Sequence, residues 1–467
     1  MRGTHGWAEV SAERKREIID AIVAGTATRG PVHAELDLTD RCNVACYFCN
    51  QQSLRTKEQI PLPRLSDLID EMAGNGLRSV RLSGGGDPLF HREVLDVFDH
   101  LALRGVVVDN LTTNGVALTE EVARRLIGNK AREVIFSLNA VNAADYARMM
   151  QVKPALFDKV LENIRRLLAM RGESIYPSVV AQFLIDRKNF RSLPEMYDLG
   201  RSLGVDRIAL NAVLEVPQES FEENILLAPE DREAARPYVE TVLERDRDAG
   251  LLQIDFAISG WNEMLNQARA KVDAPAQNSY PTAPAFKDEN AGCFFAWYTA
   301  AITGNGDIRP CCLLLHPSMK PLGNIHQGTM TEHWNGPAFT KMRDEMREVL
   351  LRRNKIEYDE KRFEILKPAC VKEGLCWLKN MYFRGDQEFY AELAAKLDEA
   401  RKREVRFIGT PKQMKRAAEV YLHTHPRVRQ TLSADWLHRA YDWARNSSRP
   451  LRATLKRRLG WNLTDAA

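Results

Sequence analysis

Between residues 32 and 213 the chain alternates short apolar runs with longer stretches that carry one apolar stripe at the helical period. That alternation confines it to parallel strands covered by helices. Candidate strands are 32–39, 77–83, 106–112, 133–138, 178–185 and 205–212. Between them, Phe157, Val160, Leu161, Ile164, Leu167 and Leu168 recur every three or four residues, as one face of a helix must. Thr119 is placed to cap another helix, with Glu120 and Glu121 in its first turn and Gly128 at its end. Six such units imply crossovers between parallel strands, hence a curved sheet or a partial barrel. The polar clusters fall at the C-terminal strand ends: Cys42 to Cys49 after the first, Gly84 to Pro88 after the second, Thr112 to Gly115 after the third, Ser137 and Asn139 at the fourth. α/β barrels build active sites on that face, so one site fed by several loops is expected.

The first of those loops is Thr39-Asp40-Arg41-Cys42-Asn43-Val44-Ala45-Cys46-Tyr47-Phe48-Cys49-Asn50. Thiolates spaced Cys-x3-Cys-x2-Cys can converge on one metal centre, because the short gaps let the backbone wrap. Structural zinc takes four protein ligands, whereas a cluster held by three thiolates keeps one iron open for a substrate or cofactor. The plainer alternative is three structural or zinc-bound cysteines. With Phe48 just before the third cysteine, the motif resembles the signature of the radical S-adenosylmethionine (SAM) superfamily, over roughly residues 32–213.

The resemblance implies a four-iron four-sulfur cluster on Cys42, Cys46 and Cys49, with SAM chelating the open iron through its amino and carboxylate groups. Reductive cleavage then gives a 5′-deoxyadenosyl radical that takes a hydrogen atom from an unactivated C–H bond. The cofactor carries the chemistry; the protein binds, orients and excludes competing donors. Gly84-Gly85-Gly86-Asp87-Pro88 resembles the family's Gly-Gly-Glu-Pro element, which receives the methionine amino group. Asp87 stands where Glu is usual, so the backbone contact is the firmer expectation. Asn114, Ser137 and Asn139 are candidates for the ribose hydroxyls and carboxylate, and Arg148 for the carboxylate, which suits a guanidinium. Each is alternatively a surface or strand-end polar residue. The adenine is expected near Phe48 and the end of the sixth strand, around Leu210 and Asn211.

The other five cysteines follow residue 291. Gly304 to Asp307 reads as a hairpin turn that brings Cys293 and Cys311 toward each other. A helix over 338–351 follows, then Cys370 and Cys376. This order resembles the twitch or short SPASM-type extension of radical SAM enzymes and implies one auxiliary cluster on Cys293, Cys311, Cys370 and Cys376. Cys312 is the spare, since strand alternation points it to the other face. The Cys370-x5-Cys376 spacing departs from the tighter pair common in these extensions, which leaves Cys312 as the substitute fourth ligand. A zinc knot and buried free cysteines are the alternatives.

Composition sets the outer bounds. With 44% hydrophobic and 28% charged residues, 467 positions suffice for a large core and more than one domain. No signal-peptide core and no apolar run of membrane-span length occurs, and eight cysteines without a secretion signal read as metal ligands in a reducing cytoplasm. The expected fold is α/β: an N-terminal helical extension (1–31, with a helix over 11–23), a partial (β/α)6 TIM-like barrel with linker (32–290), a small α+β cluster-binding domain (291–380) and a basic helical tail (381–467). From residue 401 onward, 16 Lys and Arg face 5 Asp and Glu, so a +11 tail follows a −8 body. Leu451, Leu455, Leu459 and Leu463 recur opposite Lys456, Arg457 and Arg458. Such a tail either packs on the acidic body or lies on an anionic membrane or lipid-linked substrate; nucleic acid is the weaker option, since no base-reading motif accompanies the charge.

With only about 31 residues before the first strand, too few for a peptide-binding domain, a small or lipid-linked biosynthetic substrate is expected. The outcome is expected to be oxidative, the auxiliary cluster accepting the electron and a flavodoxin- or ferredoxin-type donor supplying reductant. Modification of a ribosomal peptide is the alternative. A non-catalytic iron-sulfur electron carrier or a zinc module is the alternative of another class.

Overall fold

The structure is a computed structural model that describes residues 7–49, 51–52, 55–213, 225–255, 261–273, 293–309, 311, 320–352, 357–371 and 386–404. The chain divides into two compact units, 1–394 and 395–467; of the second, the described residues are the end of one helix, Gln387–Glu404. Cys312, Cys376, most of the linker and the leucine-striped tail lie outside the described residues.

Seven parallel strands form the centre: β1 (His33–Leu36), β2 (Ser79–Leu82), β3 (Val107–Thr113), β4 (Glu133–Ser137), β5 (Ser178–Ile185), β6 (Arg207–Ala212) and β7 (Leu252–Asp255), hydrogen-bonded in sequence order. Each expected strand forms: β5 over its expected residues, β3 shifted by one, and the others shorter by one to three residues at one or both ends. The sheet does not close. On the other side of β1 it continues through β8 (Thr299–Ile302), parallel to β1, and then antiparallel β9 (Asp307–Arg309) and β10 (Gly323–Asn324), giving ten strands among the described residues.

Helices α1 (Ala12–Ala24), α2 (Leu62–Gly74), α3 (Val94–Leu103), α4 (Glu120–Gly128), α5 (Ala143–Met150), α6 (Ala155–Arg171), α7 (Leu193–Leu203), α8 (Asp231–Asp246) and α9 (Trp261–Lys271) accompany the parallel strands. Thr119 caps α4 by accepting from Val122 N, and the α6 stripe is buried from Phe157 to Leu167. Beyond the hairpin come α10 (Met330–Trp334), α11 (Pro337–Leu351), α12 (Pro368–Val371) and α13 (Gln387–Glu404).

Strand β1 is buried on both faces. Ala34 and Leu36 take one face and His33 and Glu35 the other, with Asp37 following, so a line of ionisable groups enters the interior. His33 Nδ1 lies 2.9 Å from Ser79 Oγ, its register partner on β2. Burial, with Arg81 nearby, pushes the His33 imidazole down to about 3.

Candidate active site at the C-terminal strand ends

The loop leaving β1 is fastened before it reaches the first cysteine. Asp40 N donates to Glu58 O at 2.9 Å, Thr39 bridges Gln59, and the Asp40 carboxylate accepts from Thr56 Oγ1 at 2.6 Å. The cysteine turn then lies along the end of α5: Ala45 N donates to Met150 O at 3.0 Å and Tyr47 N to Met149 O at 3.1 Å. Cys49 N closes the turn onto Cys46 O at 3.0 Å.

The glycines after β2 are needed because this loop has to pass the cysteine loop at backbone contact. A Cβ on Gly84, whose φ is +137°, would sit 1.7 Å from the Asp37 carboxyl carbon, and one on Gly86 would sit 2.1 Å from Arg41 O. Asp87 N donates to that same Arg41 O at 2.8 Å. The hairpin beyond β8 touches the same segment, since a Cβ on Gly304 would lie 2.7 Å from Asp40 N.

The Asp87 carboxylate points inward. It accepts from Leu89 N at 3.0 Å, Thr113 Oγ1 at 2.9 Å and Asn114 N at 2.8 Å, joining the second and third strand-end loops. Burial raises its proton affinity; the contacts from Asn114 N, Thr113 and Leu89 N oppose that rise. Asn114 in turn aims Nδ2 at Asn43 Oδ1, 2.7 Å away, and at Cys42 Sγ, 3.8 Å away.

Asn139 adopts φ +60° and is also spent internally, accepting from Leu184 N at 3.0 Å and directing Nδ2 at Met150 Sδ and Ser137 O. Ser137 ends β4, partly exposed. Arg148 is partly exposed on α5, 3.3 Å from Asp145, with its guanidinium carbon 5.9 Å from the Tyr47 ring centroid. Phe48 is buried, edge-on to Tyr47 at 5.5 Å. Leu210 is fully buried and Asn211 half-buried on β6, in register with Phe183 and Leu184. The structure therefore gathers the cysteine, glycine and Asn114 loops by direct contact, whereas Leu210 and Asn211 stand two strands from β4.

Several participants carry no motif signal. Arg55 donates to Gly85 O, Val44 O and Cys49 Sγ. Tyr47 Oη donates to Asp186 Oδ2, and Asp186 Oδ1 accepts from Lys188 N at 2.8 Å and Asn189 N at 2.9 Å, a turn that pins the cysteine loop to the end of β5. Asp186 follows β5 at its C-terminal end, where polar clusters gather on the earlier strands; Arg55, well beyond β1, carries no such cue.

Burial pushes the Cys42 and Cys46 thiols up, with Cys49 adding to both and Cys42 adding to Cys46. Ligation has to displace those protons. The donor set suits an iron-sulfur cluster: three thiols of one turn, with an amide and a guanidinium directed at two of the sulfurs.

In the second region Cys293 precedes β8, Cys311 is buried just after β9, and Cys370 lies on α12, its N–H donating to Lys367 O at 2.8 Å. The segment bearing Cys370 is anchored by the buried Glu345 of α11, which accepts from Glu364 N, Ile365 N and Leu366 N at 2.9, 3.1 and 3.0 Å. Arg343, two residues earlier on α11, donates to Ala296 O at 3.0 Å and Trp334 O at 2.8 Å; burial lowers its guanidinium to about 10.

Two known families match the two regions. Residues 36–211 match the radical SAM superfamily, and residues 293–359 match SPASM, an iron-sulfur cluster-binding domain. The chain is 24% identical to the PqqA peptide cyclase of Streptomyces rochei, over 67% of this chain and 78% of that protein. It is 22% identical to the AdoMet-dependent heme synthase of Methanosarcina barkeri, over 68% and 86%. With the tungsten-containing aldehyde ferredoxin oxidoreductase cofactor-modifying protein of Pyrococcus furiosus it shares 24% identity, but spans only about half (53%) of that protein's length. Among solved structures, Streptococcus suis SuiB bound to S-adenosylmethionine superposes with TM-score 0.52 at 17% identity, covering 70% of this chain and 71% of SuiB. Native anSMEcpe with bound AdoMet gives TM-score 0.51 at 17% identity, covering 80% of this chain and all of the other (100%).

Proposed function

We propose that this chain, which belongs to the radical SAM superfamily and carries a SPASM-type cluster-binding domain, is a maturase that oxidises a residue of a peptide or protein substrate. Its cofactors are SAM and [4Fe-4S] clusters. When bound, they supply a 5′-deoxyadenosyl radical for hydrogen abstraction and an acceptor for the substrate's electron. Cys42, Cys46 and Cys49 hold the first cluster, and the Gly84–Gly86 backbone and Asn114 receive SAM beside it. Asp87 keeps those two loops in register rather than meeting SAM with its carboxylate, since that carboxylate is directed at Leu89, Thr113 and Asn114. Cys293, Cys311 and Cys370 contribute to the auxiliary cluster, with the fourth ligand, Cys376 or Cys312, outside the described residues.

The observation that carries this reading is the pairing, in one continuous sheet, of β1, which leads into the three-thiol loop, with β8 of the SPASM-matching region. The peptide class is supported by the match to a peptide cyclase over most of its length, and by a fold shared with SuiB and anSMEcpe, both also solved with peptides bound. The small or lipid-linked substrate expected from the short N-terminal segment is the less supported reading. The heme synthase relative favours it in one form, a small biosynthetic molecule. No helix among the described residues is long and apolar enough to cross a membrane.

The test is substrate-stimulated formation of 5′-deoxyadenosine. Short peptides encoded beside the gene are incubated anaerobically with the reconstituted protein, SAM and a flavodoxin or ferredoxin donor. Stimulation together with loss of hydrogen from the peptide is expected; stimulation by tetrapyrroles or other small metabolites alone would contradict the peptide class.

A further inference from the structure

Arg55 lies six residues after Cys49, outside the cysteine motif, yet its guanidinium makes three contacts that meet only at the cluster loop. Nε donates to Gly85 O at 2.6 Å, Nη1 to Val44 O at 3.1 Å and Nη2 to Cys49 Sγ at 3.4 Å. The planar fork fixes these directions relative to one another, so the two carbonyls orient the nitrogen that meets the sulfur. Asn114 offers Cys42 Sγ a neutral donor at 3.8 Å, a longer and weaker arrangement.

We propose that Arg55 is a positioning residue that fixes the Cys49 sulfur and raises the reduction potential of the cluster held there. The inference rests on the radical SAM reading of this loop. The reduced cluster carries one more negative charge, so a cationic donor on one of its sulfurs favours it over the oxidised form. Arg55 thereby eases the first electron transfer, on which all later chemistry depends, and does so from the same side chain that holds the glycine loop against the cysteine loop.

The experiment is an EPR-monitored redox titration of the full-length chain after anaerobic iron-sulfur reconstitution, comparing wild type, Arg55→Gln and Arg55→Lys. The first cluster is identified by its SAM-sensitive signal, and the auxiliary cluster serves as internal reference. At the potential that half-reduces wild type, the reduced-to-oxidised ratio should fall about tenfold in Arg55→Gln, equivalent to ~59 mV for one electron. Arg55→Lys should shift less in the same direction, and the auxiliary signal should stay in place. An Arg55→Gln protein with full iron, an intact SAM-sensitive signal and an unchanged ratio would overturn the proposal. If Arg55→Gln does not retain iron, an unchanged ratio in Arg55→Lys overturns it instead. Absence of any SAM-sensitive signal in iron-loaded wild type would remove the radical SAM reading and this inference together.

Discussion

Cys42, Cys46 and Cys49 fall within eight consecutive positions, whereas Cys293, Cys311 and Cys370 are strung over 78. The first set is held by Arg55 from further along its own loop and, from other strand-end loops, by Asn114 and, through Tyr47, Asp186. The second set depends on tertiary scaffolding, a hairpin after β8 and the buried carboxylate of Glu345 under the segment that bears Cys370. A site made by one turn is robust to distant change and sensitive to its immediate packing. A site made by three separated segments fails when any anchor between them is lost.

Single cysteine replacements separate the two regions most sharply. Alanine at Cys42, Cys46 or Cys49 should reduce 5′-deoxyadenosine formation to background, because an underligated cluster cannot be held. Alanine at Cys293, Cys311 or Cys370 should leave SAM cleavage measurable while abolishing turnover of substrate. SAM cleavage retained in the first group would dissolve the distinction.

Packing comes next in size. Gly86→Ala places a methyl 2.1 Å from Arg41 O and 2.5 Å from Thr39 O, both main-chain atoms, and should cost roughly 3 kcal/mol in denaturant unfolding. Gly128→Ala, at the end of α4 with nothing within 4 Å of the new carbon, should be neutral or mildly stabilising. Equal effects would show that the loops do not depend on close approach.

The second region has its own test in Glu345→Ala, which strands three N–H groups and should cost about 1–3 kcal/mol. Iron at the auxiliary site should fall while the SAM-sensitive EPR signal persists.

The smallest effect concerns Asp37, whose carboxyl is pushed well above the usual range by burial, with Glu35 and Asp40 adding to this and Gly85 N–H and Arg81 opposing. A raised native value gives stability that is complete below the unfolded-state value near ~3.9 and is lost as pH rises through the native one. Asp37→Asn removes that loss, so its stability relative to wild type should increase from acid to neutral pH by on the order of 1 kcal/mol. A pH-independent difference would place the charge elsewhere.

Legibility in the sequence follows the same division. Strand positions, the Thr119 cap and the hairpin at Gly304 were readable because each is written in a few adjacent residues. The same holds for the cysteine and glycine loops. The roles of Arg55, Asp186 and Glu345 were not, since each joins separate segments, through Gly85, Tyr47 and residues 364–366 respectively, and leaves no periodic trace. The close approach of Gly84 to Asp37 and of Gly86 to Arg41 is a fit between two loops, which neighbouring residues do not record. The continuation of the sheet through β8 beside β1 is likewise a long-range pairing, joining positions 33–36 to 299–302.

The central claim is tested most directly by anaerobic reconstitution of the wild-type chain, iron analysis, and quantification of 5′-deoxyadenosine after addition of SAM and a strong reductant. About eight irons, as two cubanes, and steady 5′-deoxyadenosine formation are predicted, with about four irons and no product in the Cys42/Cys46/Cys49 triple alanine variant. Clusters intact in the wild type with no 5′-deoxyadenosine formed would contradict it.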